Sequence, residues 1–387
     1  MNRRDFMKLT GTCTGGLLVL PDFLYSFALQ ENLTAADSCI VFIQLNGGND
    51  GLNTFIPYQD ELYYKYRPAI ALSKDEVINA TGGMAFHPAL KGLAEIQQKG
   101  DLTVIQNVGY PGANRSHFRS MEVWQTASPV DEYLTQGWLG RFLDLECKDH
   151  QPTAAITIDS LDSPALKGNG INNYTVKDPG KMASGKLKQN VVLSNNPQLD
   201  FVRKIAESVT EGSTLIQKAI KNAANDVTYP QTGLAKNMEW IAKLIKGGLN
   251  SKIYYTSING FDTHSNQKKA HKGKLSEVGD AALAFYNDIK AANKLQEVTV
   301  VIFSEFGRRV QDNGNGTDHG LAAPMFIIGG KNKGKVIGRN PDLVNLEKGD
   351  LVHETDFRSV YAALLKDKFS FDPAQIGISN KALQGIF

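Results

Sequence analysis

Three apolar, β-prone runs of six residues each end in a polar, glycine-containing loop, and this pattern constrains the fold more than any other feature of the chain. Ile40-Val41-Phe42-Ile43-Gln44-Leu45 runs into Asn46-Gly47-Gly48-Asn49-Asp50-Gly51. Ile253-Tyr254-Tyr255-Thr256-Ser257-Ile258 runs into Gly260-Phe261-Asp262-Thr263-His264. Val298-Thr299-Val300-Val301-Ile302-Phe303 runs into Ser304-Glu305-Phe306-Gly307. Near-continuous apolar strands are those buried on both faces, as in sheets covered by helices on either side. Loops beyond the carboxyl ends of parallel strands gather at one edge, so residues more than two hundred positions apart can meet there. Carboxylates and imidazoles collected at such an edge suit a divalent cation.

The intervening segments have helical character. Leu90, Leu93, Ala94, Ile96 and Gln97 keep a helical period within 87–99, and further helices are expected over 116–126, 137–146, 198–225, 230–249, 273–293 and 356–365. Additional strands are expected over 101–108, 154–159 and 325–328. Residues 160–195 are rich in Gly, Asn, Lys and Ser without strong periodicity and read as an irregular insertion. Strand–helix alternation predicts an α/β fold, a mostly parallel central sheet sandwiched by helices. No repeat or linker divides residues 29–387, which are expected to form a single domain.

The first residues carry a different message. Arg3-Arg4 precede a short, weakly apolar stretch, Leu9 to Leu20, and small residues at Ser26-Phe27-Ala28. This layout predicts a twin-arginine signal over residues 1–28, contact with the twin-arginine export machinery, and a periplasmic or extracellular destination. No run reaches the ~20 apolar residues of a membrane span, so the mature chain is expected to have none. Charges nearly balance, 42 basic against 40 acidic, without a basic tract, and no nucleic-acid partner is expected. Cys13 would leave with the signal, while Cys39 and Cys147 are read as unpaired.

Several residues have the chemistry of a site. Asp50 offers a hard oxygen in a glycine-rich turn, although such a turn is also an ordinary Asx/Gly bend. Asn53 follows it, and no Gly-x-Gly-x-x-Gly pattern signals a dinucleotide. Ser116 begins a helix, where backbone N–H groups favour an anion and a nucleophile would be stabilised; the ordinary role there is an N-cap. His117 stands beside it. Asp262 and His264, two apart in an extended segment, face one side and can share a cation. Glu305 at a buried strand end needs a partner, either a metal or Arg308 and Arg309, and the same arginines can clasp an anionic substrate. His319 in a Gly/Asn loop is a further ligand candidate.

In this order — Asp after the first strand, Ser before a helix, an Asp/His pair, an acid at a strand end, a late His — the chain resembles the alkaline phosphatase and sulfatase superfamily. His87-Pro88-Ala89-Leu90-Lys91-Gly92-Leu93 is similar to the stretch preceding the sulfatase nucleophile. Over nearly its whole length the chain resembles the bacterial twin-arginine-exported family known as domain of unknown function 1501. The resemblance implies an alkaline-phosphatase-like fold and a hydrolase of phosphate or sulfate esters, with small-molecule or glycan esters as substrates. It implies a divalent ion (zinc, calcium, magnesium or manganese) held by Asp50, Asp262, His264, Glu305 and His319. Ser116 and Arg308 would carry catalysis, and Asn53, His117 and Arg309 would contact substrate. Two departures stand out: Phe306 occupies the place of a metal-binding histidine, and no Cys-x-Pro-x-Arg segment for formylglycine exists. They keep open a second reading, a non-catalytic exported binding or assembly protein on the same fold. A phosphoglycerate-mutase-like transferase is a third reading, disfavoured by export.

Overall fold

The computed structural model describes residues 38–147, 151–170, 172–182, 196–224 and 227–387. The proposed signal with Arg3, Arg4 and Cys13, and residues 183–195 of the insertion, lie outside the described residues.

The first apolar run is a central strand, β1 (Cys39–Asn46). The second and third are β8 (Ile253–Asn259) and β9 (Val298–Ser304), and they flank β1 on either side in parallel. The nine-stranded sheet extends outward through β6 (Ala155–Ile158) and β7 (Asn173–Val176) on one side. On the other side lie β10 (Ala323–Gly329) and β5 (Leu102–Gly109). Two short strands, Val336–Ile337 and Thr355–Asp356, complete it by pairing with β5. Pairing is parallel except around β10, which runs antiparallel to both β5 and β9. The sheet is therefore mixed. Residues 305–322 join β9 to β10 without an intervening helix, and the two strands lie side by side as antiparallel neighbours. A small antiparallel sheet of three two-residue strands lies apart from it.

Each face of the sheet buries a separate core, because successive side chains of a strand point oppositely. Val41, Ile43 and Leu45 pack with residues of three helices, α2 (Lys91–Gln98), α6 (Gly233–Lys246) and α7 (Gln267–Ala291). Ile40 and Phe42 face α3 (His117–Thr126), α4 (Trp138–Glu146) and α8 (Phe357–Phe369). The α/β sandwich is thus as expected from the sequence. Two elements differ. The insertion contains β7, which pairs in parallel with β6, and α7 begins six residues before the helical period is legible. Cys39 and Cys147 are both buried and free, Cys39 with its thiol pushed up to about 12 by burial. Among the described residues no helix is long and apolar enough to cross a membrane.

Candidate functional site

The carboxyl ends of β1, β8 and β9 meet at one edge of the sheet. Beyond β1 the chain turns through Gly47 and Gly48, both with positive φ (119° and 74°). A Cβ on Gly47 would lie 2.3 Å from the Asp262 nitrogen, and one on Gly48 would lie 2.2 Å from the Phe306 ring. Glycine is therefore required there, and its absence of side chain lets the β1 turn sit against the loops after β8 and β9.

Glu305 leaves the end of β9 on the face covered by α3. It is buried, yet it is fully engaged: the Gly47 N–H donates to Oε1 (2.8 Å), His117 Nδ1 lies 2.9 Å from the same oxygen, and Ser304 Oγ is 3.0 Å from Oε2. Ser120, one turn into α3, donates to the Glu305 carbonyl (2.6 Å) and ties helix to strand. The glutamate thus orients His117 rather than offering itself to a cation. Its hydrogen bond holds the His117 pKa above the usual imidazole range, against the opposing effect of burial.

Asp262 is the hub of the exposed part. His117 Nε2 is 3.5 Å from its carboxylate without hydrogen-bond geometry, and that nitrogen is buried with no other partner. His319 Nε2 (3.1 Å) and His264 Nε2 (3.0 Å) approach the same carboxylate. The remaining nitrogen of each ring is anchored, His319 Nδ1 at the Arg115 carbonyl (2.8 Å) and His264 Nδ1 at Asp318 (3.1 Å). His319 reaches its place because its loop folds back in an antiparallel bridge against Arg308. Partial desolvation works against the charge of Asp262, but hydrogen bonds from Arg308 and His319 outweigh it and bring its pKa to about 2. Ligand atoms of His117, Asp262 and His319 all lie within 4.8 Å of one another, as a metal-binding group requires. The donor set fits a borderline cation: two imidazoles present Nε2, each fixed through Nδ1, with one carboxylate between them.

The expected ligand set divides in two. Asp50 does not join the cluster. It is fully buried, its Oδ2 bound by Arg67 Nη1 (2.6 Å) and by the Gln267 amide. Burial opposes its ionisation, but the Arg67 guanidinium prevails and holds its pKa below the usual range. Asn53, expected at a substrate, is buried in the same network and accepts from Tyr63 (2.9 Å) and Arg67 (3.0 Å). Arg308, expected to clasp substrate oxygens, is 2% exposed and spends its donors on Asp262 (2.6 Å) and on the carbonyls of Gly47, Gly48, Phe261 and Thr317. A guanidinium so engaged has no fork left for a ligand. Arg309 turns away to the Lys348 carbonyl (2.7 Å). Ser116 is the exposed N-cap residue of α3 and its side chain makes no capping bond. Phe306 packs against the rings of His117 and His319, each centroid 4.9 Å away.

Sequence reasoning missed the groups that hold the buried half: Arg67, Gln267, and His271, whose Nε2 lies 2.8 Å from the Asn49 amide oxygen. Gln267 and His271 sit in the first turns of α7, ahead of the legible apolar period. Arg67 stands in a Tyr/Lys-rich segment with no periodic signal.

Residues 246–368 match the family model described as a protein of unknown function (DUF1501). The resemblance read from the sequence is shown over that segment, which holds Asp262, His264, Glu305, Phe306, Arg308 and His319 but not His117 or Asp50. No curated protein matches the chain. Among solved structures, Ps i-CgsB in complex with k-i-k-neocarrahexaose is similar over 89% of this chain and 75% of its own, at 10% identity and a TM-score of 0.42. The zinc complex of the C-terminal periplasmic domain of EcEptC from Escherichia coli is similar over 76% of this chain and 74% of its own (11% identity, TM-score 0.36). A protein in the alkaline phosphatase superfamily from Vibrio parahaemolyticus is similar over 79% of this chain and 63% of its own (12% identity, TM-score 0.35).

Proposed function

We propose that the chain is an exported hydrolase of phosphate or sulfate esters that works with one divalent cation, held by His117, Asp262 and His319. The observation that carries this reading is the convergence of two anchored imidazoles on one exposed carboxylate, with His117 Nε2 left without a hydrogen-bond partner. A cation bound there would polarise the ester and stabilise charge developing on its oxygens. Glu305 and the Arg115 carbonyl position the two imidazoles. Ser116 presents a free hydroxyl at the amino end of α3, where the helix dipole favours an alkoxide and an anionic transition state. His264, oriented by Asp318, stands beside Asp262 with its Nε2 facing the cluster, in position to serve the leaving group. Arg3 and Arg4 support export by the twin-arginine route to the periplasm or beyond.

A second reading, an exported binding or assembly protein without catalysis, is favoured by one observation: Phe306 packs an apolar ring against both His117 and His319, while Arg67 and Arg308 neutralise Asp50 and Asp262. Elemental analysis and turnover of aryl phosphates and sulfates separate the two. The hydrolase reading expects about one transition-metal ion per chain, lost in His117→Ala/His319→Ala, and turnover that Ser116→Ala abolishes without unfolding. Metal-free wild type, inert toward phosphates, phosphodiesters and sulfates, would establish the second reading.

A further inference from the structure

Beside the histidine cluster, on the α3 side of the sheet, lies a cavity of about 310 Å³ that the proposed chemistry does not use. Its floor is unusual for a sheet face. Lower down, this face is apolar, with Ile40 and Phe42 on β1 and Ile253 on β8 in the core. Toward the carboxyl ends the same alternating positions become Gln44 and Asn46 on β1, and Ser257 and Asn259 on β8, paired in register. On β6 the position is Thr157, and Asp159 follows just beyond the strand. A polar floor under a covering helix costs stability unless the groups are satisfied. Two are not: the Asn46 Oδ1 and the Thr157 Oγ1 are buried without a hydrogen-bond partner, and Thr157 is only 1% exposed. The helix side of the cavity carries Met121 and Gln125, four and eight residues after His117 and so on one helix face with it. The cavity thus continues from the histidine cluster along a single face of α3.

We infer that this cavity is a binding site for a neutral, polyhydroxylated group, a mono- or disaccharide. Three features select that class. The lining is built of amides and hydroxyls, which both donate to and accept from sugar hydroxyls. Among the described residues it is lined by Asp159 and Asp162 but by no lysine or arginine, so it repels phosphate or sulfate. Met121 and Leu161 supply apolar surface for a pyranose face, Leu161 being 78% exposed. The volume stands at the small end of the roughly 300–1,000 Å³ typical of small-molecule sites. Under the hydrolase reading, the sugar is the alcohol part of the ester whose charged end reaches His117; only this link rests on that reading, and the binding does not.

The test measures binding directly. Wild type is titrated calorimetrically with methyl α-glucoside, methyl β-galactoside, maltose, lactose and cellobiose, and with glucose 6-phosphate and calcium chloride as charged controls. At least one neutral saccharide should bind with a millimolar constant. Thr157→Val keeps the shape and removes an unpartnered hydroxyl, so it should leave the melting temperature unchanged or raise it, yet weaken the sugar about tenfold. Gln125→Leu, on the helix side, should weaken it similarly and serves if the strand variant folds poorly. His117→Ala should still bind the sugar while losing hydrolysis; wild type that binds the sugar yet, loaded with metal, hydrolyses no phosphate or sulfate ester would refute the hydrolase reading alone. The proposal is overturned if no neutral saccharide binds, if neither variant alters binding, or if calcium or the phosphorylated sugar is the preferred ligand of the His117→Ala/His319→Ala variant, whose cation site is removed.

Discussion

Replacing Arg67 with methionine tests whether Asp50 belongs to the architecture or to the chemistry. Arg67 is wholly buried and makes four hydrogen bonds: to Asp50 (2.6 Å), to Asn53 (3.0 Å), and to the carbonyls of Val310 (2.9 Å) and Arg309 (2.8 Å). Methionine keeps much of the volume but leaves a buried carboxylate with Gln267 as its remaining partner. Breaking one side of a buried ion pair costs about 3–5 kcal/mol. That is a large part of the roughly 5–15 kcal/mol that holds a typical native protein together. Burial opposes ionisation of Asp50 and Arg67 overcomes it, so without Arg67 the carboxyl should titrate above its unfolded value and the loss of stability should grow as pH rises. Asp50→Asn in the same background removes the uncompensated charge and should recover about 2 kcal/mol or more, a coupling readable as a double-mutant cycle from urea unfolding. Elemental analysis adds the decisive control, since Asp50→Asn should leave metal content unchanged. An Arg67→Met variant within about 1 kcal/mol of wild type would refute the energetic argument. Metal loss in Asp50→Asn would return that aspartate to the ligand set.

Glu305→Gln should preserve the fold and the Gly47 contact but weaken the orientation of His117, lowering metal affinity about 10–100-fold in a calorimetric titration; unchanged affinity would remove Glu305 from the site. Stability should fall as the solution is acidified. Burial brings His271 to about 4 and His87 to about 3. The His87 Nδ1 also accepts the Ala89 N–H (3.0 Å), which only the unprotonated ring can do. Above about pH 6.5 neither group binds protons in either state; below it the unfolded chain binds protons that the folded chain refuses, at up to about 1.4 kcal/mol per pH unit for each histidine. Urea midpoints measured from neutral pH down to about 4 should decline, and His271→Gln should flatten the decline; a flat wild-type profile would contradict it. Replacing Arg3 and Arg4 with lysine should leave the precursor in the cytoplasm, as cell fractionation would show, and normal processing of that variant would point to another route.

Much of the architecture was legible from local patterns. A strand such as Val298–Ser304, buried on both faces, is written as an apolar run because every one of its side chains must avoid water. A helix with one wet face shows its period, as in Lys91–Gln98. From such runs alone follow the sandwich and the edge at which Asp262, Glu305 and His319 gather, whereas the central place of β1 is known from the strand order. What the sequence could not decide was which charged groups neutralise one another. Asp50 and Asp262 both follow strands and read alike as ligands, yet one meets Arg67 in the interior and the other stays half in solvent among three imidazoles. Their difference is set by partners up to two hundred residues away, through distances of a few ångströms on which Coulomb and desolvation energies depend steeply. The antiparallel turn of β10, the reach of α7 back to Gln267, and the assignment of Glu305 and Arg308 to positioning rather than contact belong to the same category. Periodicity reports which way a side chain faces, whereas only the packed chain decides what it finds there.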